Sequence, residues 1–277
     1  MKFTYKNWDA FLSRLSKDGL LSITAAQVLS GSSVGKYLVL KHDVENRVKH
    51  AYEMAKIEAK YGHRASYYVQ AYLLDNPGNV ELLKRIADLG HEVSYHYDVM
   101  DYAKGDMELA ISEFQKNKER FESCGFEILT VCQHGNPIVE RVGYTSNRDF
   151  FRSERVREIY PNIADVMVNF KTMANTDYSF FSDAGRRFKL IFDPINNDIV
   201  SSEDKDIAFD DLDAMYDRAV SGNAIISSHP HRWESSAFVY SVKTGWFKVI
   251  RATARLAAKI PFMKKFMSKH YGLAKRI

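Results

Sequence analysis

The chain has 277 residues, of which 45% are hydrophobic and 27% are charged, and its formal net charge at pH 7 is +4. This balance is typical of a folded globular protein. It excludes an intrinsically disordered chain, a collagen and a multipass membrane protein, because aromatic residues are abundant and no uninterrupted apolar run reaches about 18 residues.

Strand and helix patterns alternate along most of the chain. Short runs of aromatic and β-branched residues predict strands, and amphipathic stretches that end at glycine predict helices. The predicted strands are residues 37–42, 65–70, 91–96, 128–133, 164–169, 188–192 and 224–228. The predicted helices are residues 47–61, 80–89, 106–123 and 211–220. This alternation predicts an α/β fold with a parallel sheet, either open or closed as a barrel.

The charges are distributed unevenly, and they suggest three segments. Residues 1–234 carry 29 basic and 35 acidic side chains, whereas the residues after Glu234 carry ten Lys and Arg and no acidic residue. We therefore expect a helix and loop over 1–36 that cap the fold, a main domain over 37–234, and a basic tail over 235–277.

The basic tail contains a second pattern. At 100° per residue, the basic side chains of 246–260 fall on one helical face and the apolar side chains fall opposite. Two interpretations remain open for this amphipathic helix. It packs on the main domain with a solvated basic face, or it lies on an anionic membrane surface through 246–277.

The expected location is the cytoplasm. Cys124 and Cys132 are too few for a disulfide framework, and residues 1–15 contain no apolar run of the secretory type. A membrane-bound tail would make the protein peripheral at the inner face of the membrane. Nucleic acid is not an expected partner, because the main domain is acidic and no recognition motif is present.

Polar residues follow the predicted strands at four points. The carboxyl ends of parallel strands meet at one face of an α/β fold, and catalytic residues are drawn from that face. Five of the nine histidines stand at these strand ends: His42, His96, His134, His229 and His231. One histidine at a strand end is usually a structural residue, but four strand ends that share the property favour a common site.

These segments resemble a known family. KHDVE, GHEVSYHYD, QHGNP, DAGRRF and IISSHPHRW occur in this order between residues 37 and 233. The set resembles the polysaccharide deacetylases of carbohydrate esterase family four, and more closely a divergent branch linked to surface-polysaccharide biosynthesis. The resemblance implies a distorted (β/α) barrel of about seven parallel strands. It also implies hydrolysis of acetyl groups on a sugar of a surface-polysaccharide precursor. A tail on the membrane would suit a lipid-linked sugar as the substrate.

The resemblance also implies roles for individual residues. Asp43 matches the catalytic base, His229 matches the catalytic acid, and Glu45 and His96 match ligands of a divalent metal ion, for which zinc is the expected ion. The second histidine ligand of the family stands four residues after His96, where this chain has Met100.

A thioether is a poor ligand for such an ion, so the site must be completed in another way or is lost. His134 is the first candidate for the missing ligand, because it follows a neighbouring strand at the same face. Asp98 is the second, because on an extended chain it points to the same side as His96.

The candidates for substrate contact are Asn136, Arg186, Arg187, His231 and Trp233. The two arginines suit a carboxylate or a phosphate on the sugar, although exposed arginines without a function are equally expected. Trp233 is a candidate for stacking on a sugar ring. Two other functions remain open: a non-catalytic carbohydrate-binding protein on the same barrel, suggested by Met100, and another metallohydrolase, such as one that cleaves phosphoesters.

Overall fold

Strands that are buried on both faces form the centre of the structure. Every residue of the first, second and last strands is buried, as expected for parallel strands that are covered on both sides. The structure is a computed structural model that describes residues 2–32, 35–136, 139–200 and 203–246. The strands are β1 (Leu38–Val44), β2 (Ala65–Val69), β3 (Glu92–Tyr97), β4 (Thr130–Gln133), β5 (Ala164–Asp165), β6 (Ser179–Ser182), β7 (Lys189–Ile191), β8 (Ile207–Ala208) and β9 (Ala224–Ser228).

The helices begin at residues with good capping chemistry. The Asp106 carboxylate accepts a backbone N–H and starts the longest of the bounded helices at the predicted place. Asn76 caps the preceding long helix, which begins three residues before the predicted range of 80–89, because Pro77 suits the first helical position. The helices are α1 (Tyr5–Lys17), α2 (Ala25–Leu29), α3 (Val48–Lys60), α4 (Pro77–Asp88), α5 (Val99–Ala103), α6 (Met107–Ser123), α7 (Asp149–Arg152), α8 (Glu154–Ile159), α9 (Phe170–Met173) and α10 (Leu212–Ala219), and residues 237–246 are also helical.

The nine strands form one sheet in the order β5-β4-β3-β2-β1-β9-β6-β7-β8. The first seven strands in this order are parallel, and β7 and β8 extend the sheet in antiparallel pairing. The predicted α/β class with a mainly parallel sheet is therefore confirmed. The sheet does not close: within the described residues, no hydrogen-bonded strand pair joins β5 to β6.

Side chains nevertheless connect the two ends of the parallel run. Ala164 of β5 and Phe180 of β6 belong to one buried apolar cluster that also contains Cys132 of β4 and Ile225 of β9. The Tyr178 hydroxyl, next to β6, donates a 2.7 Å hydrogen bond to the carbonyl of Val166, next to β5. The sheet must therefore curve strongly, and this cluster fills its concave face.

The strand register determines which side chains share that face. Lys41 of β1 lies opposite Ser227 of β9, and His96 of β3 lies opposite Cys132 of β4. Side chains alternate along a strand, so Lys41 and Asp43 point to the concave face while His42 points to the other. The carboxyl ends of β1, β3, β4 and β9 consequently open at one edge of the concave face.

The predicted strand over 164–169 is much shorter than expected. Only Ala164–Asp165 pair with β4. The Asp165 carboxylate accepts the backbone N–H of Met167 at 2.6 Å, and the side-chain oxygen of Asn169 accepts the backbone N–H of Asp165 at 2.7 Å. Such local side-chain bonds favour a turn over a continued strand.

The N-terminal segment packs into the same core as the sheet. Four side chains of α1 are buried there, and Thr4 forms a bridge with Glu234 at the far end of the main domain. Of the predicted amphipathic helix over 246–260, only Trp246 lies within the described residues. Among the helices of the described ranges, none has both the length and the apolar character that crossing a bilayer requires.

Candidate functional site

A cleft of about 800 Å³ opens at the carboxyl ends of the parallel strands. The five residues that the sequence assigned to metal binding and catalysis all line it: Asp43, Glu45, His96, His134 and His229. They come from β1, β3, β4 and β9 or from the residues that directly follow these strands. The structure therefore brings together side chains that are up to 186 positions apart in the chain.

Glu45, His96 and His134 form a compact group. One ligand atom from each lies within 4.8 Å of the other two, which is close enough for one metal ion. The His134 Nε2 atom is 3.2 Å from the Glu45 carboxylate. Burial and nearby basic groups outweigh Asp43 and lower the pKa of His96 to about 3, so its imidazole is neutral at pH 7, as ligation requires.

A backbone contact fixes the orientation of His96. Its Nδ1 lies 3.0 Å from the carbonyl oxygen of Cys132, which can only accept, so Nδ1 carries the proton. The Nε2 atom is then the nitrogen with a lone pair for a metal. Metal-ligating histidines commonly have such a second hydrogen bond, which sets the tautomer and the ring orientation.

The position of Met100 explains why it is no ligand. Met100 lies in α5 and packs in the hydrophobic core, where it is 2% exposed. His134 takes the third place beside Glu45 and His96, while Asp98 belongs to neither of the groups that the described residues offer to a metal.

The second such group consists of Asp43, His96 and Cys132. It is less suited to a metal ion, because a cation is already present there. The Lys41 Nζ atom lies 2.5 Å from the Asp43 carboxylate and 3.3 Å from the Ser227 hydroxyl. Burial also raises the pKa of the Cys132 thiol, which disfavours the thiolate that would bind a metal.

Lys41 is one of the cleft residues that the sequence prediction missed. It is 2% exposed and pairs with Asp43, the predicted base. Burial alone would raise the pKa of Asp43, but the charges of Lys41, His96 and His229 outweigh burial and lower it to about 2. The spacing of two residues within β1 was the available signal, since it puts both side chains on one face.

Asp183 holds His229 in place from the other side. Its carboxylate lies 2.6 Å from His229 Nδ1 and accepts the His229 backbone N–H at 2.9 Å. Arg232 donates to the same carboxylate at 2.6 Å. These contacts keep the pKa of the buried Asp183 well below its usual range despite full burial. The second imidazole nitrogen, Nε2, then faces the cleft, 3.9 Å from Asp43 and 3.8 Å from Glu45.

His42 does not belong to the site, although it was grouped with the other strand-end histidines. It points to the opposite face of the sheet, where its Nε2 lies 2.7 Å from the Glu58 carboxylate. Glu58 also accepts hydrogen bonds from Tyr67 at 2.7 Å and from Trp8 at 3.1 Å. His42 is thus part of a buried polar network between the sheet and its helices.

The structure places three of the five predicted substrate contacts outside the lining of the cleft. Trp233 is fully buried, donates to the Ser228 hydroxyl at 2.7 Å and packs on aromatic core residues, so it has no face for a sugar. Arg187 turns away and pairs with Asp210 at 2.6 Å. Asn136 is buried beside the cleft, and its neighbour Gly135 is the lining residue instead.

The other two predicted contacts, Arg186 and His231, line a second cavity. This cavity has a volume of about 350 Å³, and we call it the basic cavity. Its lining includes the residues Arg47, Arg186, His231, Arg232, Lys243 and Trp246. Asn46 and Arg232 line both this cavity and the cleft, so the two spaces are neighbours.

Comparison with protein-family models, with curated proteins and with solved structures finds no match to this chain. The resemblance to polysaccharide deacetylases thus depends on the ordered motifs alone. A function for the cleft has to be argued from its own residues.

Proposed function

We propose that this chain is a metal-dependent hydrolase that removes acetyl groups from a sugar of a surface-polysaccharide precursor. The observation that carries the proposal is one arrangement in the cleft. Glu45, His96 and His134 form a ligand group, and two residues suited to proton transfer, Asp43 and His229, flank it within about 4 Å. The order of the sequence motifs gives independent support.

The donor set suits zinc. Two imidazoles and one carboxylate are the protein ligands of many catalytic zinc sites, which keep a further position for water or substrate. When bound, a divalent ion would polarise the acetyl carbonyl and make a water molecule more acidic. The burial of His96 and His134 and the neutral state of His96 favour ligation at neutral pH.

Asp43 acts as the base that accepts the proton of the attacking water. The ion pair with Lys41 keeps the carboxylate ionised throughout the neutral range. The same ion pair makes Asp43 a weak base, so it suits only a water whose own pKa has been lowered. Lys41 also fixes the carboxylate on the concave face through the Ser227 hydroxyl.

His229 acts as the acid that protonates the leaving group. Its Nδ1 contact with Asp183 holds the imidazole so that Nε2 faces the two carboxylates of the cleft. A carboxylate partner in this position stabilises the charged imidazolium and maintains its orientation. The nitrogen or oxygen that leaves the acetyl group takes the proton from Nε2.

Two wider parts of the proposal concern architecture and location. We regard the seven parallel strands as a distorted barrel that is open between β5 and β6, because the apolar cluster on the concave face spans that gap. The cytoplasm is the proposed location, with the basic tail at the inner face of the membrane, where lipid-linked sugars are presented. The ten basic residues of the tail support this.

The test is acetate release by the purified full-length chain from N- and O-acetylated sugar oligomers. A chelator should abolish the reaction and zinc should restore it. Asp43→Asn should lower the rate by about 100-fold or more, because general-base catalysis is removed. His134→Ala should lose zinc by elemental analysis, while the matched variant Asp98→Asn should retain both zinc and activity. A chain that binds no divalent metal and releases no acetate would exclude this function.

One observation favours a second candidate, a non-catalytic carbohydrate-binding protein. Lys41 neutralises Asp43 inside the cleft, and a buried cation in this position is unusual for a residue that must accept a proton. Sugar binding that survives both chelator and Asp43→Asn, without acetate release from any acetylated sugar, would favour this alternative over the hydrolase.

A further inference from the structure

The basic cavity lies directly beside the proposed catalytic acid. The ring of His231, which lines the cavity, is centred 5.7 Å from the ring of His229, which lines the cleft. Asn46 and Arg232 border both spaces. The two spaces are therefore adjacent, as a single ligand that enters both would require.

Positive charge exceeds negative charge around the cavity. Among the described residues, four cationic side chains and one carboxylate, that of Glu234, line it. Glu234 forms ion pairs with two of these cations, Lys243 at 2.7 Å and Arg47 at 3.9 Å. Arg232 is paired with the buried Asp183. Even with both carboxylates counted, two positive charges remain in excess.

The backbone directs Arg186 into this cavity and Arg187 away from it. Arg186 has a φ of 64°, a left-handed conformation that is unfavourable for a residue with a side chain. The next residue, Arg187, returns to an extended conformation and binds Asp210 outside both spaces. Burial and the nearby Arg232 charge lower the pKa of Arg186, as expected where cations are held together. Strained residues persist where the surrounding structure requires them, and they cluster at ligand sites.

Two further groups suit a phosphorylated sugar. His231 lines the cavity, and its buried Nδ1 has no hydrogen-bond partner among the described residues. Trp246 is 67% exposed at the cavity and offers the apolar face for a sugar ring that the buried Trp233 cannot provide.

We propose that the basic cavity binds a phosphate group on the sugar substrate, as in a glycosyl phosphate or diphosphate, while the acetylated part of the same molecule occupies the cleft. This assignment rests on the proposed function for the identity of the sugar. The excess of two charges matches a phosphate better than a single carboxylate. Arginine side chains bind phosphate oxygens through strong charge-assisted hydrogen bonds.

The test is calorimetric titration of the full-length chain with N-acetylglucosamine 1-phosphate and with N-acetylglucosamine, in chelator and at fixed ionic strength. Arg186→Asn should bind the phosphorylated sugar about tenfold or more weakly, with little change for the uncharged sugar. Asparagine is chosen because it tolerates a positive φ. The matched control Arg187→Asn should bind both sugars as the unaltered chain does. Equal phosphate affinity of the two variants would overturn the proposal.

Two additional arms identify the source of the anion. Glucuronic acid should bind more weakly than the sugar phosphate, and equal binding would overturn the choice of phosphate. Phosphatidylcholine vesicles with added phosphatidic acid test a lipid headgroup. If Arg186→Asn weakens vesicle binding but not sugar-phosphate binding, the cavity belongs to lipid and the proposal is wrong. If Arg186→Asn does not fold, Lys243→Gln replaces it with the same expected loss of sugar-phosphate affinity.

These measurements need neither metal nor turnover, so they separate the two proposals. Phosphate binding without acetate release from any acetylated sugar would reject the hydrolase and retain the phosphate site. Acetate release without any phosphate binding would retain the hydrolase and reject the phosphate site.

Discussion

The clearest quantitative prediction concerns Asp165, which is fully buried at the end of β5. Burial raises its pKa to about 6, although Tyr97 and the backbone N–H of Met167 donate hydrogen bonds to it. The change in the pKa of this carboxyl from its ordinary value of 3.8 to about 6 corresponds to about 3 kcal/mol, at about 1.36 kcal/mol for each pH unit. Because its pKa is raised in the folded state, the Asp165 carboxyl prefers to be protonated there. Its ionisation therefore destabilises the folded protein. This loss of stability begins as the pH rises above 3.8 and is complete above about 6.

Asp165→Asn removes this charge and keeps a group that accepts from Met167. We therefore expect the free energy of unfolding of the variant, relative to the unaltered chain, to rise by up to about 3 kcal/mol between pH 4 and pH 7. Urea unfolding at several pH values measures this difference. The control Asp177→Asn should not gain stability, because Lys171 lowers the pKa of the exposed Asp177. A difference for Asp165→Asn that stays constant from pH 4 to pH 7 would refute the reasoning.

Three further predictions concern the cleft and its support. Asp183→Asn should lower kcat by about 100-fold or more with unchanged zinc content, because His229 loses the partner that orients it; an equal loss of zinc would contradict a positioning role. Lys41→Met should raise the pKa of Asp43 and move the acidic limb of the pH–activity profile to higher pH, and an unmoved limb would show that Asp43 is not the group that titrates. Trp233→Phe should lower the free energy of unfolding, measured by urea unfolding, by about 1–3 kcal/mol. Its sugar affinity, measured by calorimetry, should not change. A loss of sugar binding without a loss of stability would show that Trp233 belongs to the site.

Buried strands were the most predictable part of the fold. The last strand, Ala224–Ser228, has the predicted bounds, and β1 and β3 lie within two residues of theirs. Continuous apolar runs bounded by polar or glycine residues leave few alternatives. The chain between 140 and 205 was harder to predict, because short polar contacts such as those of Asp165 decide its turns, and β7 and β8 gain their pairing from the sheet they extend.

The site was predictable where the topology alone decides it. Parallel strands bring Glu45, His96 and His134 to one edge whatever surrounds them. The sequence motifs did not show the direction in which each side chain points. His42 and Asp43 are adjacent in sequence and point to opposite faces. Arg186 and Arg187 diverge because Gly185 and Arg186 have a positive φ and Arg187 returns to an extended conformation. A buried lysine is rare, so a lysine such as Lys41 is normally expected at the surface even when its strand is predicted to be buried.

The account depends most on Glu45, His96 and His134 holding one metal ion. A crystal structure of the full-length chain soaked in zinc, with anomalous scattering recorded at the zinc edge, tests this directly. We expect one strong peak bound by the Glu45 carboxylate, by Nε2 of His96 and by a His134 nitrogen, with Asp43 and His229 beside it. A peak at other residues, or none in this cleft at saturating zinc, would contradict the account.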